Sequence, residues 1–395
     1  MTRQILHADM DCFFASVEEL YHPEVGGRPM AVCGNPETRH GIVLAKNQAA
    51  KALGVKTAEP VWQAQRKCPG LILLPASKGL YSEYGRRANA IYERYTNMVQ
   101  RVGVDESFLD VTGVLGLKDG AHAAREIRTA VRAELGLCVS VGVSFCKIFA
   151  KMGSDLAKPD GLFVITHENF KEKLYHLPVR SLISVGRSTE KSLKALGIHT
   201  VGQLAKLDEE AVAALLGSHG STLYRYVHGL DNSKVRLAGD VDEPKSIGNS
   251  VTFYRDLSSR EDIKEGLLSL ADSVAYRLRR RGKKCRGVQI TIKDPNLAVT
   301  LRQTQLERAT NLTAEVFDAA FSLLLETWKP GRPIRLLGIT GINLVPEDEG
   351  EQTSLFGDIE STQKRESLAR AVDTVRDKYG KDAVGPATLL GSDLV

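Results

Sequence analysis

The chain lacks any apolar run long enough to cross a bilayer, and Arg3, Asp9 and Asp11 interrupt its first apolar stretch, so neither a membrane span nor a secretory leader is expected. Cysteine is sparse. The six present (Cys12, Cys33, Cys68, Cys138, Cys146 and Cys285) form no C-x-x-C pair, and no histidine cluster stands at zinc spacing. A disulfide scaffold and a thiolate zinc site are thereby excluded, and a reduced, cytosolic protein is expected. Nor does one sign of charge dominate: 53 Lys and Arg stand against 48 Asp and Glu. What is present is ordinary globular composition, 43% hydrophobic and 26% charged, in a chain of 395 residues, long enough for about two to four domains. The charge is unevenly spread. Residues 242–345 hold 17 basic against 12 acidic residues, and residues 346–395 hold 6 against 11, so a basic module precedes an acidic tail.

The fold class expected is α+β. Short strands at "QILHA", "MVQRVGV", "SFLDVTG" and "CVSVGVS" alternate with helices over 81–98 and 121–136. That order matches a split βαβ unit, with the third strand between the first two. The first two strands then run parallel through a right-handed crossover, so the end of the first, at Asp9, approaches the turn holding Asp105 and Glu106. Residues 12–76 are inserted after the first strand, with a hairpin through "RPMAVCGNPETRHGIVLAKN" and a helix over "QAAKALG". Residues 166–235 read as short helices, residues 236–244 as a linker, and residues 245–345 as a second βαββαβ unit of the same topology. Residues 346–395 read as a flexible tail with a helix around 361–379.

Three carboxylates at one sheet rim repel one another, which is tolerable when cations lie between them. Hard oxygen ligands suit magnesium or manganese, and two such ions stabilise an in-line displacement at phosphorus. The spacing of Asp9, Asp105 and Glu106 therefore points to phosphoryl or nucleotidyl transfer, although each acid taken singly reads as a solvated strand end. Asp11 would share a face with Asp9 if the strand continued, or would sit at the N-terminus of the helix over "FASVEEL". Lys147, Lys151 and Lys158 surround the next helix in "CKIFAKMGSDLAKPDG"; Lys158, at its end, either complements the helix dipole or holds a triphosphate.

Together "HADMDCFFASVE", "VGVDESFLDVTG", "SVGVSFCKIFAKMGSDLAKPDG" and the helix-hairpin-helix-like "LISVGRSTEKSLKALGIHTVGQL" resemble the Y-family DNA polymerases over residues 1 to about 345. The resemblance implies a right-hand polymerase: a palm over 1–11 and 77–165, fingers over 12–76, a helical thumb over 166–235 and a little finger over 245–345. It implies a monomer performing template-directed synthesis past damaged bases from deoxynucleoside triphosphates on primer-template DNA. Asp9, Asp105, Glu106 and the carbonyl of Met10 would hold two magnesium ions, for which manganese can substitute. Lys158 would touch the triphosphate and Phe14 would be the steric gate under the sugar, with Phe13 packing in the core. Where the family pattern reads "NYxAR" this chain has "NQAAK", placing Gln48 and Lys51 at the nucleotide; Ile42 and Leu44 stand where small residues are common, and Cys146 where Asn is usual.

The run "RLRRRGKKCRG" supplies Arg279, Arg280, Arg281, Lys283, Lys284 and Arg286, and Lys293 follows. It reads either as a solvated face or as a surface tracking a duplex backbone, with Val288, Ile290 and Ile292 inward and Gln289, Thr291 and Lys293 outward. Helices beginning near Gly186 and Gly202 offer amides to phosphate, or form a plain bundle. In "EQTSLFGD", Gln352, Leu355 and Phe356 resemble the peptide by which bacterial polymerases bind the sliding clamp, or else cap a domain. A DNA-binding and clamp-binding scaffold without activity and a two-metal nuclease are the rival functions.

Overall fold

The segment Ile5–Met10 (β1) is buried along its whole length, His7 and Asp9 included, as in a central strand covered on both faces. The computed structural model describes residues 2–35, 41–240, 242–329, 331–349, 359–380, 382–389 and 394. They divide into one unit up to residue 241 and a second from 242 onward.

In the first unit β1 leads into α1 (Phe13–Tyr21). Then β2 (Met30–Cys33), β3 (Val43–Lys46), α2 (Gln48–Ala52), α3 (Val61–Lys67) and β4 (Ile72–Pro75) form a small sheet of order β3–β2–β4 with its own core around Val43, Ala50 and Ala64. The chain returns through α4 (Lys78–Tyr92), β5 (Val99–Arg101), β6 (Glu106–Asp110), α5 (Gly120–Leu135), β7 (Val139–Ser144), α6 (Lys147–Ala157) and β8 (Leu162–Val164). The sheet order is β5–β6–β1–β7–β8, so the third strand does lie between the first two. Strand β8, parallel to β7, is an addition that the sequence reading lacks. The helix expected over 81–98 stops at Tyr92, because the Thr96 hydroxyl bonds the Asp110 carbonyl and accepts from the Met98 amide, turning the chain into β5. Helix α5 is closed at both ends, by the Asp119 carboxylate on the His122 amide and by left-handed Gly136.

Five short helices complete this unit: α7 (Phe170–Leu174), α8 (Arg187–Ala195), α9 (Val201–Leu204), α10 (Glu209–Leu216) and α11 (Ser218–Val227), packed around Leu193, Val201, Leu204 and Leu223. Helices do begin near both glycines, α8 just after Gly186 and α9 at Val201, next to Gly202. Thr200 and Gln203 cap α9 reciprocally and so set its start.

The second unit comprises β9 (Ser246–Leu257), α12 (Arg260–Arg280), β10 (Lys283–Lys293), β11 (Val299–Thr310), α13 (Thr313–Thr327), β12 (Ile334–Pro346) and α14 (Ile359–Tyr379). Its element order repeats the first unit's, but the topology expected to be the same is not. Here the order is β11–β10–β12–β9, and the hairpin partner of the second strand folds outward to an edge instead of inward against the first. Val288, Ile290 and Ile292 are fully buried under α12 and α13, while Gln289, Thr291 and Lys293 alternate onto the other face.

Helix α14 is packed down, against the expectation of a flexible tail. The Arg279 guanidinium grips Asp373 bidentately at 2.6 and 3.0 Å, Arg376 meets Asp272 at 2.9 Å, and Lys284 meets Glu366 at 3.0 Å. Tyr276 donates to Asp377 at 2.5 Å, and the Leu394 side chain is buried in the same core. Residues 350–358, with Gln352, Leu355 and Phe356, lie outside the described residues.

The Arg279–Asp373 pair is nearly withdrawn from water, so removing one partner strands the other's charge. Arg279→Ala is expected to destabilise this unit by about 3 to 5 kcal/mol in chemical denaturation. The Arg279→Ala/Asp373→Ala double variant should lose clearly less than the sum of the two single losses; strict additivity would show that the pair is not coupled.

Candidate active site

Strand β1 ends where the β5–β6 turn closes, and their meeting is fixed by backbone. Asp9 stands in register with Glu106 on one side and Ser140 on the other, and the Met10 amide donates to the Asp105 carbonyl at 3.1 Å. Three carboxylates thus share one rim. Ligand atoms of Asp9, Glu106 and His7 lie within 4.8 Å of one another. Burial, and next the negative charge of Asp9, push the Asp105 carboxyl above the ordinary range. Glu106 goes the other way. The His7 imidazole, 3.4 Å away, and the Lys151 ammonium paired with it hold its carboxyl at about 2, against desolvation. Lys158 places its ammonium 2.9 Å from Asp9. Burial works against that charge, but Asp9, Asp155 and Asp11 outweigh it and raise the lysine's pKa.

Between β1 and α1 stands Cys12, with φ at 48°, a left-handed conformation that costs a non-glycine residue about 1 kcal/mol. It turns the chain sharply enough to bring the α1 aromatics beside the acids. Phe13 is buried in the core, as expected, and Phe14 lines a cavity of about 280 Å³ with Asp9, Met10, Asp11, Asp105 and Lys158. Gln48, Lys51, Lys46 and Thr57 extend its polar wall, and Leu44 and Ala45 line it as well. The Phe14 ring is stacked on Tyr81, centroids 4.0 Å apart and 10° from parallel; the Tyr81 hydroxyl is in turn held by buried Glu18. Buried Asn47 fixes the loop carrying Gln48 and Lys51. Its side chain accepts from the Met30 and Ala50 amides and donates to Glu19 and the Arg28 carbonyl.

Not every expected residue arrives there. Glu106 lies outside the cavity lining, tied to Lys151, and Ile42 is exposed beyond it. Lys147 faces away, bonded to Gln100 at 2.6 Å and to the Lys234 carbonyl. Asp11 takes neither expected place. Cys12 is the residue that precedes α1, and the Asp11 carboxylate accepts from Ser140 and from the Asp160 amide. Of the basic run, Arg279, Arg280, Lys283, Lys284 and Arg286 meet Asp373, Asp377, Glu243, Glu366 and Glu349 of their own unit. Arg281 is exposed, and Lys293 is half-buried on the outward sheet face. Sequence reasoning missed His7, Lys46 and Tyr81. His7 was within reach, since residues two apart on a strand share a face.

Residues 8–155 match the impB/mucB/samB family, residues 244–355 its C-terminal domain and residues 167–198 its HHH motif. DNA polymerase IV of Acetivibrio thermocellus is 46% identical over 392 residues, covering 99% of this chain and 98% of that protein. DNA polymerase IV 1 of Bacillus subtilis is 36% identical, covering 96% and 91%, and that of Halalkalibacterium halodurans is 35% identical, covering 99% and 94%. A solved chimeric Y-family DNA polymerase shares the fold with a TM-score of 0.76 at 22% identity, over 87% of this chain and 99% of that one. The chain belongs to the impB/mucB/samB family, the Y-family DNA polymerases. Within that family its full-length relatives are DNA polymerases IV, enzymes of translesion synthesis, and as in the family at large the acidic cluster marks a metal-dependent polymerase.

Proposed function

We propose that this protein extends primed DNA by nucleotidyl transfer at the cavity between Asp9, Phe14 and Lys158, in the cytosol and as a monomer. The observation that supports this reading best is the convergence of three carboxylates, three lysines and a stacked aromatic ring on one cavity of about 280 Å³. In this reading residues 1–11 and 77–165 are the palm, 12–76 the fingers, 166–235 the thumb, 236–244 a linker and 245–345 the little finger.

The donors fit a hard divalent cation, being carboxylates and a strand-end carbonyl at one rim, where burial and then the charge of Asp9 raise the pKa of Asp105. Asp9, Asp105, Glu106 and the Met10 carbonyl would hold two magnesium ions, or manganese; when bound, the ions stabilise charge on the attacking and leaving oxygens. Lys158, Lys51 and Gln48 hold the triphosphate. The primer 3′ hydroxyl gives up its proton to solvent as its oxygen bonds to the α-phosphorus, the bond to the bridging oxygen breaks and pyrophosphate leaves. Phe14, immobilised on Tyr81, fills the space a 2′-hydroxyl needs. Arg281 and Lys293, which among the described residues have no acidic partner while the other members of the basic run do, meet DNA phosphates, and Leu355 and Phe356 with Gln352 engage the sliding clamp.

Asp105→Ala and Glu106→Ala should each reduce magnesium-dependent primer extension by at least about 10³-fold, as loss of preorganised electrostatic groups does, while primer-template binding persists. Near-normal extension by both variants removes the proposal, and nucleolytic loss of primer in place of extension favours a nuclease.

Phe14→Ala should lower the ratio of kcat/KM for deoxy over ribo substrates by at least about tenfold, the size of a lost steric clash of some 1 to 3 kcal/mol. An unchanged ratio assigns the gate to another residue.

Leu355→Ala/Phe356→Ala should abolish the stimulation of synthesis by a bacterial sliding clamp and leave unaided extension intact, since an apolar anchor acts by raising local concentration. Full stimulation of the double variant refutes this docking site.

A further inference from the structure

We infer that Asp11 is a positioning residue for nucleotide binding: it anchors the turn Lys158–Gly161 and so fixes where the Lys158 ammonium stands beside Asp9. This deepens the reading of Lys158 as a triphosphate contact and rests on it. Asp11 is buried, two residues beyond Asp9. One of its oxygens accepts from the Asp160 amide at 2.7 Å, and both lie 2.9 Å from the Ser140 hydroxyl on β7. Asp160 is itself in a left-handed conformation, with φ at 49°, which a non-glycine residue holds only when its surroundings over-determine it. They do. Arg128 and Arg132 of α5 grip its carboxylate from the far side, and Arg128 also donates to its carbonyl. The Val141 amide takes the next carbonyl, that of Gly161, at 3.0 Å.

Asp11 is thus the direct tie between the backbone carrying Asp9 and the backbone carrying Lys158. A lysine is a mobile point charge, so the origin of its side chain decides where its charge can reach. With its oxygens committed to these donors, Asp11 is a poorer cation ligand than Asp9 or Asp105, although it lines the same cavity.

The test is steady-state incorporation on a primed template, with thermal melting and primer-template affinity measured beside it, for Asp11→Ala, Asp11→Asn, Lys158→Ala and Asp11→Ala/Lys158→Ala. Asp11→Ala should raise KM for the incoming nucleotide about tenfold with a smaller change in kcat, the size of one lost charge-assisted hydrogen bond. Asp11→Asn retains an acceptor and should stay within about threefold of wild type. In the Lys158→Ala background, Asp11→Ala should add less than about twofold, because the two act as one unit. A raised KM in Lys158→Ala with none in Asp11→Ala overturns the inference and leaves the Lys158 reading standing, as does full additivity of the two or a fall in kcat alone. An unchanged KM in Lys158→Ala overturns both. Should Asp11→Ala fail to fold, Ser140→Ala reads the same tie: a KM rise of about threefold that vanishes without Lys158 supports it, and no rise overturns it.

Discussion

Two carboxylates set opposite each other across an antiparallel strand pair repel, and Asp9 and Glu106 stand in that relation at the end of β1. Much of the first unit is arranged around that unfavourable contact. Lys158 neutralises Asp9 from one side and Lys151 neutralises Glu106 from the other, both lysines coming from α6 and the turn that ends it. His7, on the same face of β1, stands against Glu106 and bonds Ser154 at 2.7 Å, again on α6. One helix therefore supplies the counter-charges, and its close approach to β7 depends on Gly142, where a Cβ would run into the α6 backbone. A sheet rim of this kind is less stable than a neutral one, and the two lysines and His7 offset part of that loss.

The aromatic side of the cavity follows a different logic. Phe14 is held by ring stacking and shape, with no polar atom of its own, and the chain reaches that position only because Cys12 adopts a left-handed turn. Charge thus lines one wall of the cavity and a rigid apolar surface the other.

How far the sequence disclosed this depends on the range of the interaction. Strand alternation and the split βαβ order located Asp9, Asp105 and Glu106 at one rim, since topology alone brings those strand ends together. Resemblance to the Y family supplied Phe14, Lys158 and the second unit, and the comparisons support that family membership. Local signals failed where a distant partner decided the outcome. Helix α4 ends early because of a Thr96 bond to β6, and Asp11 left the helix start for donors over a hundred residues away. The outward hairpin of the second sheet has no sequence marker, because both sheet orders bury the same alternating residues. The acids of α14 did carry a signal: Glu366, Asp373 and Asp377 recur at helical spacing and complement Arg279, Arg280 and Lys284, a pattern legible only once the two segments are considered together.

That last pairing sets the electrostatic identity of the second unit. Its 17 basic and 12 acidic residues up to 345 leave an excess of five positive charges, and the 6 basic and 11 acidic residues after it leave an equal negative excess. Folded with α14 in place, the unit as a whole is close to neutral. A chain shortened at residue 346 would leave Arg279, Arg280 and Lys284 without the α14 acids that pair with them in the intact protein. It would bind polyanions more tightly, and with a steeper salt dependence, than the intact protein does.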